Sequence, residues 1–355
     1  MMTRLLVVRL GSIGDLIHTL PAVAAIHRTH PDLEIDWLVD AVHRDLLTLV
    51  PILSGIVALR GRTVGAWLEA RRTLRARRYD AALDFQGLIK SAALARLSGA
   101  RRVIGFDRAS LREPWAAAFY TERVAVGEGR HVVDKNLRLA AVIGATAGEA
   151  EFPLDVAPGS PIDPGQADAA AVEAHRPTGP FALVNPGAAW PNKRWPPERF
   201  GQIARILRDR HGLTSIVLWG PGELPLAEAV IAAGGDAAVV APETSLPGLV
   251  ALARGARLIV SGDTGPLHIA AALGVPAVAL FGPTNPARNG PWRAADISLS
   301  RYRECICHYE RRCRRDARDW CLGSITVEEV GEAIGKRLAE AQGPGPKARG
   351  SGTPT

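Results

Sequence analysis

Short apolar runs alternate with helix-length amphipathic stretches along this chain, and the turns between them repeatedly carry glycine. Residues 5–10 form the first run. It ends in the turn Gly11-Ser12-Ile13-Gly14-Asp15, and LIHTLPAVAAIHRTHP follows. In that stretch Leu16, Leu20, Val23, Ala24 and Ile26 fit one helical stripe. So short and unbroken an apolar run suits a strand buried on both faces. Pro21 fits either the first turn of a helix capped by Thr19 or a kink in a longer one. Residues 34–39 and 81–85 read as further strands, 66–78 as a basic helix and 90–97 as another helix. Strands alternating with helices imply parallel βαβ units.

The pattern restarts after residues 156–180, a stretch rich in Pro, Gly and Ala. Residues 181–184, 215–219, 258–261 and 277–281 read as strands. Residues 197–210, 224–233 and 266–273 read as helices, with Gly212 and Gly274 just past the first and last. Thr326 and Glu329 have the spacing of a capping box for a final helix ending near Ala341. A length of 355 residues allows two domains at ~150 residues each. The expected division is a first half at 1–158, a linker at 159–178, a second half at 179–341 and a polar, disordered tail at 342–355. Both halves are expected to be doubly wound α/β. Ligands then bind beyond the carboxyl ends of the strands, in a cleft between the halves.

Apolar residues make up 47% of the chain and charged residues 22%, the balance of a soluble globular protein rather than a disordered one. No apolar run reaches the roughly 18 residues of a membrane-crossing helix. Arg9, Gly11, Gly14 and Asp15 interrupt the start of the chain, unlike a signal peptide, so a cytosolic protein is expected. The net charge is +7, and residues 60–112 hold 13 basic side chains against 4 acidic ones. Such a local field suits an anionic partner. Nucleic acid is disfavoured, because the aromatic residues that would stack on bases are only 5% of the chain. Cys305, Cys307, Cys313 and Cys321 stand together amid seven arginines between Arg301 and Arg318. Reduced packing thiols are the leading reading. Structural zinc is the weaker one, because the paired C-x-x-C spacing is missing.

Strand-end turns carry the chemistry. Ser261-Gly262-Asp263-Thr264-Gly265-Pro266-Leu267-His268 ends a strand and opens a helix, whose free N–H groups form an anion site. Gly265 permits close approach of a pyrophosphate, and Asp263 can accept from sugar hydroxyls. The plainer alternative makes Asp263 or Thr264 a helix cap. Residues 185–195, NPGAAWPNKRW, combine small residues such as Gly187 with Lys193, which can neutralise a departing diphosphate. The turn at Gly11–Gly14 has G-x-x-G spacing, not the dinucleotide G-x-G-x-x-G, which argues against a nicotinamide oxidoreductase. Asp15 in that turn suits a general base, with a helix cap as the alternative, and His18 is a rival base one turn on. Gln86 and Lys90 can bind a polar acceptor. Glu223, after Trp219-Gly220-Pro221-Gly222, can accept from ribose hydroxyls.

Together these pieces resemble glycosyltransferase family 9, the bacterial heptosyltransferases of the lipopolysaccharide inner core. The resemblance runs from residue 4 to about residue 335. It rests on VVRLGSIGDLIHTLPAV, YDAALDFQGLIKSAAL, LREPWAAAFY, NPGAAWPNKRWPPERF and LIVSGDTGPLHIAAALGVPAVALFGPTNP, in that order. DFQGLIKSAAL and REPWAAAFY look most like the branch that adds the first heptose to Kdo. The resemblance implies the GT-B fold: two Rossmann-like, doubly wound parallel-sheet domains, acceptor on the first and nucleotide sugar on the second. It implies inverting, metal-independent transfer, without a cofactor, from ADP-L-glycero-β-D-manno-heptose to the Kdo region of a lipid A-type precursor. The implied place is peripheral, at the cytoplasmic face of the inner membrane. Asp15 matches the catalytic base. Lys193 and the backbone at Thr264 and Gly265 match the groups that stabilise departing ADP. Asp263 matches a heptose-binding carboxylate, and His268, Gly187, Glu223 (ribose) and Thr244 (adenine) join it on the donor side. Ser12, Gly14, Arg60, Arg62, Gln86, Lys90, Arg112 and His131 fall on the acceptor side. Ala188 and Ala189 depart from the pattern, standing where that branch has a threonine pair, and the cysteine cluster looks more like other branches. The alternative is a nucleotide-sugar enzyme of the same fold that uses another donor or acts as an epimerase or hydrolase. It leaves the basic acceptor half without a task.

Overall fold

The computed structural model describes residues 2–127, 129–146, 148–155, 178–314 and 321–342. Its frame is a pair of six-stranded parallel sheets. The first holds β1 (Arg4–Val8), β2 (Glu34–Asp40), β3 (Gly55–Leu59), β4 (Ala81–Asp84), β5 (Arg102–Phe106) and β6 (Glu122–Val124), in the order β3-β2-β1-β4-β5-β6. The second holds β7 (Phe181–Asn185), β8 (Thr214–Val217), β9 (Ala238–Val240), β10 (Leu258–Gly262), β11 (Ala277–Phe281) and β12 (Ile297–Ser300), in the order β12-β11-β10-β7-β8-β9. Both sheets have the same doubly wound order, so each has one switch point, between β1 and β4 and between β7 and β10. The turns after those four strands are the ones the sequence singled out.

The central strands are apolar on both faces because helices cover both; Leu5, Leu6, Val7 and Val8 of β1 are all fully buried. The first half carries α1 (Ile13–Ile17), α2 (Leu20–Thr29), α3 (Arg44–Leu47), α4 (Val64–Ala76), α5 (Ile89–Leu97) and α6 (Val132–Ala141). The second carries α7 (Pro197–His211), α8 (Leu224–Gly234), α9 (Leu246–Arg254), α10 (Gly265–Ala272), α11 (Pro286–Asn289) and α12 (Val327–Gln342). Pro21 settles into the first turn of α2, and the chain breaks between α1 and α2 at His18 and Thr19. Gly212 ends α7 in the left-handed region (φ 64°), as a glycine stop should. Thr326 and Glu329 exchange the two bonds of a capping box ahead of α12. The expected linker at 159–178 lies outside the described residues apart from Thr178, and so does the expected tail beyond Gln342.

The halves do not have separate cores. One apolar cluster runs from Leu5, Trp37 and Phe85 in the first half to Phe181, Leu183, Leu267 and Phe281 in the second. A smaller cluster, with Trp195, Phe200, Val330 and Ile334, packs α7 and α12 on the other face of the second sheet. The halves meet where α1 lies on α10 and α3 on α9. Glycines set the first of these approaches. A Cβ at Gly14 would stand 2.5 Å from the His268 ring, and one at Gly265 would stand 3.1 Å from Ile13. Among the described residues no helix is long and apolar enough to cross a membrane.

Candidate active site

Asp263, the first residue past β10, is 6% exposed, and its carboxylate is saturated. Oδ2 accepts from Lys193 Nζ at 2.6 Å and from Thr284 Oγ1 at 2.7 Å. Oδ1 accepts from His268 Nε2 and Asn289 Nδ2, both at 3.1 Å. Burial alone would push the Asp263 carboxyl up. The hydrogen bond from His268 and the Lys193 ammonium outweigh burial and hold it well below the usual carboxylate range. A sugar hydroxyl that reaches Asp263 must therefore displace one of its neutral donors.

Lys193 arrives on a short turn after β7 and is only 15% exposed, with its ammonium 4.6 Å from the centre of the Trp190 ring. Beside it, α10 opens at Gly265 with Thr264 in extended conformation and no capping side chain. Thr264 occupies the N-cap position, but its side chain does not cap the helix. Thr264 Oγ1 instead lies 2.9 Å from both Asn185 Nδ2 and Ser261 Oγ. The first amides of α10 thus lack a side-chain acceptor, next to a buried ammonium, which is the arrangement an anion needs. Glu223 sits across Gly187 and accepts from Gly220 N–H at 3.1 Å. A Cβ at position 187 would fall 2.0 Å from the Glu223 carboxylate, so any larger residue there must displace that side chain. Thr244 is half-buried ahead of α9.

On the facing half, Asp15 lies in α1, 39% exposed, with Oδ1 2.5 Å from the Arg9 guanidinium. Its Oδ2 accepts from Ser12 N–H at 3.0 Å and Ser12 Oγ at 3.3 Å. Ser12 is the residue at the N-cap position and Asp15 stands three further on. Arg9 is buried and also donates to the Phe85 carbonyl at the end of β4. Gln86 accepts from Leu10 N–H at 2.7 Å, tying the turn after β4 to the turn after β1. Beneath them Asp84 is fully buried and accepts from Gln86 N–H, Gly87 N–H, Ser91 Oγ and Tyr120 Oη. Burial still pushes its carboxyl above the ordinary value.

The structure therefore gathers Ser12, Gly14, Asp15 and Gln86 at the first switch point, with Lys90 half-buried in the first turn of α5. Gly187, Lys193, Glu223, Asp263, Thr264, Gly265 and His268 gather at the second. Arg60, Arg62 and Arg112 stand on exposed loops after β3 and β5, an outer rim rather than part of either cluster. His131 caps α6, accepts from Val133 N–H through Nδ1, and reaches across to the Gly290 carbonyl at 3.0 Å. His18 is 4% exposed and packed among imidazoles, a poor place for a base. Arg9, Asn185, Thr284 and Asn289 were not anticipated. Thr284 and Asn289 follow β11, and strand-end position was the available signal. Cys305, Cys307 and Cys321 are buried, and Cys307 Sγ lies 3.9 Å from Cys313 Sγ. Burial and the neighbouring Cys305 push the Cys321 thiol up to about 12. Among the described residues no three His, Cys, Asp or Glu side chains are placed to hold a metal ion, so the zinc reading gains no geometric support.

A carboxylate at the switch point of one Rossmann-like half, and a buried lysine beside a helix start without a capping side chain at the switch point of the other, make up the candidate site of a two-sheet α/β enzyme. The sequence profile of glycosyltransferase family 9 (heptosyltransferase) matches residues 67–317, and the chain belongs to this family. The lipopolysaccharide heptosyltransferase 1 of Pseudomonas aeruginosa is 32% identical over 320 residues, 87% of each chain. The protein of that name from Escherichia coli K12 is 31% identical over 309 residues, 81% of this chain and 90% of the relative. The solved structure of E. coli heptosyltransferase WaaC with ADP has a TM-score of 0.74 at 27% identity, covering 94% of this chain and 100% of that one. The two-sheet frame is accordingly the GT-B fold.

Proposed function

We propose that this enzyme transfers heptose from ADP-L-glycero-β-D-manno-heptose to the Kdo region of a lipopolysaccharide precursor, with inversion at the anomeric carbon. The second half, 179–341, takes the donor and the first half, 1–158, the acceptor. Asp15 accepts the proton of the attacking Kdo hydroxyl, and Arg9 and Ser12 orient its carboxylate. As the bond to ADP breaks, charge grows on the leaving diphosphate. Lys193 and the first amides of α10 stabilise that charge, so the reading requires neither a metal nor a cofactor. Asp263 holds Lys193 and His268 in place, and Glu223 and Thr244 flank the ribose and adenine. Gln86 and Lys90 line the acceptor side near Asp15, and Arg60, Arg62 and Arg112 attract its anionic groups.

The observation that carries this reading is the buried Lys193–Asp263 pair beside the uncapped start of α10, packed through Gly14 and Gly265 onto the helix that bears Asp15. Measuring ADP release from ADP-heptose with and without Kdo₂-lipid A tests it. Release that depends on acceptor supports transfer. Equal release in both arms would make the enzyme a hydrolase, and no release would dismiss this donor and acceptor.

The same reading places the enzyme peripherally at the cytoplasmic face of the inner membrane. The basic segment 60–112 is interspersed with exposed Val64, Leu68 and Ile89, and exposed Trp115 follows it. That combination suits an anionic lipid surface. Binding to anionic vesicles at low salt, lost as salt rises, is the expected flotation result; no binding at low salt would remove the membrane contact.

A further inference from the structure

The helix that carries Asp15 has five residues. A helix so short has no stability of its own, and its position is set by whatever holds its two ends. Arg9 and Ser12 hold the front. At the back, Asn136 of α6 donates to the His18 carbonyl at 3.0 Å and to Thr19 Oγ1 at 3.3 Å, and Thr19 Oγ1 donates to the Asp15 carbonyl at 2.8 Å. The His18 side chain then turns into the seam between the halves. Its ring centre lies 4.5 Å from that of His268 and 5.3 Å from that of His131, edge-on to both.

Each neighbouring ring is anchored. His268 donates from Nε2 to Asp263, the residue that holds Lys193. Its Nδ1 is buried without a hydrogen-bond partner, and the residue lines a small cavity together with Ile17, His18, Phe152 and Trp292. His131 accepts from Val133 N–H through Nδ1, so its proton is on Nε2, which donates to the Gly290 carbonyl of the second half. Its ring also rests 5.0 Å from Trp292. The Asp263 cluster and the end of α1 thus communicate through one imidazole.

We propose that His18 is a positioning residue of the transfer reaction: wedged between His268 and His131, its ring fixes the end of α1, and with it Asp15, against the donor half. The proposal rests on the transferase reading above.

Positioning through His18 carries a pH signature. The groups facing His18 are His131 from α6, His268 from α10, Asp263 from the turn after β10 and Arg9 from the turn after β1. Burial, then His268 and His131, then Arg9 disfavour a charged ring there. Asp263 pulls the other way and loses, so the pKa of His18 falls well below its ordinary value. His131 is lowered too, first by burial. A group depressed in the docked state favours docking above its free pKa of about 6.5 and weakens it as pH drops below that value. The docked arrangement is therefore complete at neutral pH and loosens toward acid.

The test uses the full-length enzyme with His18→Ala and His18→Phe. It compares kcat and donor KM between about pH 5 and 8, ADP affinity by calorimetry, and hydrogen exchange of the α1 amides. For His18→Ala, kcat falls about tenfold or more with ADP affinity nearly unchanged, and α1 exchanges faster. His18→Phe keeps the ring contacts and recovers most of kcat, while the acid limb of the profile flattens. Unchanged kcat in His18→Ala overturns the proposal, as does a loss that tracks ADP affinity. So does an acid limb in His18→Phe identical to that of the parent. If the parent itself transfers no heptose, the functional reading fails separately, and α1 exchange in His18→Ala still decides whether His18 docks the helix.

Discussion

Asp15 and Lys193 serve opposite ends of one reaction, and single substitutions should separate them. Asp15→Asn keeps an acceptor for Ser12 but cannot take a proton. We expect kcat to fall ~10²–10⁴-fold with ADP affinity unchanged by calorimetry; near-normal turnover would leave Asp15 as a support for the start of α1. Lys193→Ala should cost ~10²–10³-fold in kcat and weaken ADP binding as well. It also strips the buried Asp263 of its ion-paired ammonium, so the melting temperature falls; breaking a buried pair costs about 3–5 kcal/mol. Asp15, Lys193 and Asp263 were legible in the sequence because each sits in a glycine-rich turn behind an apolar run. Their supports were not. Asn289 meets Asp263 from 26 residues away and Arg9 reaches a carbonyl 76 residues on, and such pairings leave no local pattern.

Elements differ in how plainly they announced themselves. Strands β1, β2, β4, β7, β8, β10 and β11 followed from apolar runs, and the helices α7, α8 and α10 from their apolar stripes and from Gly212 and Gly274 just past α7 and α10. Strands β3 and β5 did not, and nor did the edge strands β6, β9 and β12, each of which has only three or four residues and is partly exposed, so no continuous apolar run marks it. Helix α6 was missed although its buried Val132, Val133, Asn136 and Leu139 are spaced for a helix; a polar Asn on the inner face blurred the stripe. At the contact of α1 with α10 the decisive feature is the absence of side chains. A methyl at Gly14 meets the His268 ring at 2.5 Å, a distance that forces a shift, whereas one at Gly265 meets Ile13 at 3.1 Å, where a few tenths of an ångström suffice. Gly14→Ala should therefore push His268 off Asp263, costing about 1–3 kcal/mol of stability and more activity than Gly265→Ala. Equal effects from the two substitutions would show that the seam yields at either point.

The chain holds the two doubly wound sheets that its sequence implies, yet the apolar cluster crosses from one half to the other. Side-chain periodicity reports which residues are buried but not against which half, so the continuity could not be read from the sequence. Domains with separate cores melt separately; here we expect one calorimetric transition whose van't Hoff and calorimetric enthalpies agree. Two resolved peaks would show that the shared cluster does not couple the halves. The polar contacts reinforce that coupling away from the active site, where Arg254 donates to the Leu154 carbonyl at 2.6 Å. The seam has a bearing on protein engineering. A hybrid that borrows its first half from a relative with a different acceptor brings a foreign surface to α10. Gly14, His18 and His131 must then be inherited with the new half, and Gly265, His268 and Gly290 kept in the old one. The transplantable unit is a Rossmann half together with its matching side of the seam, and grafts cut at the chain connection alone should fold without turning over.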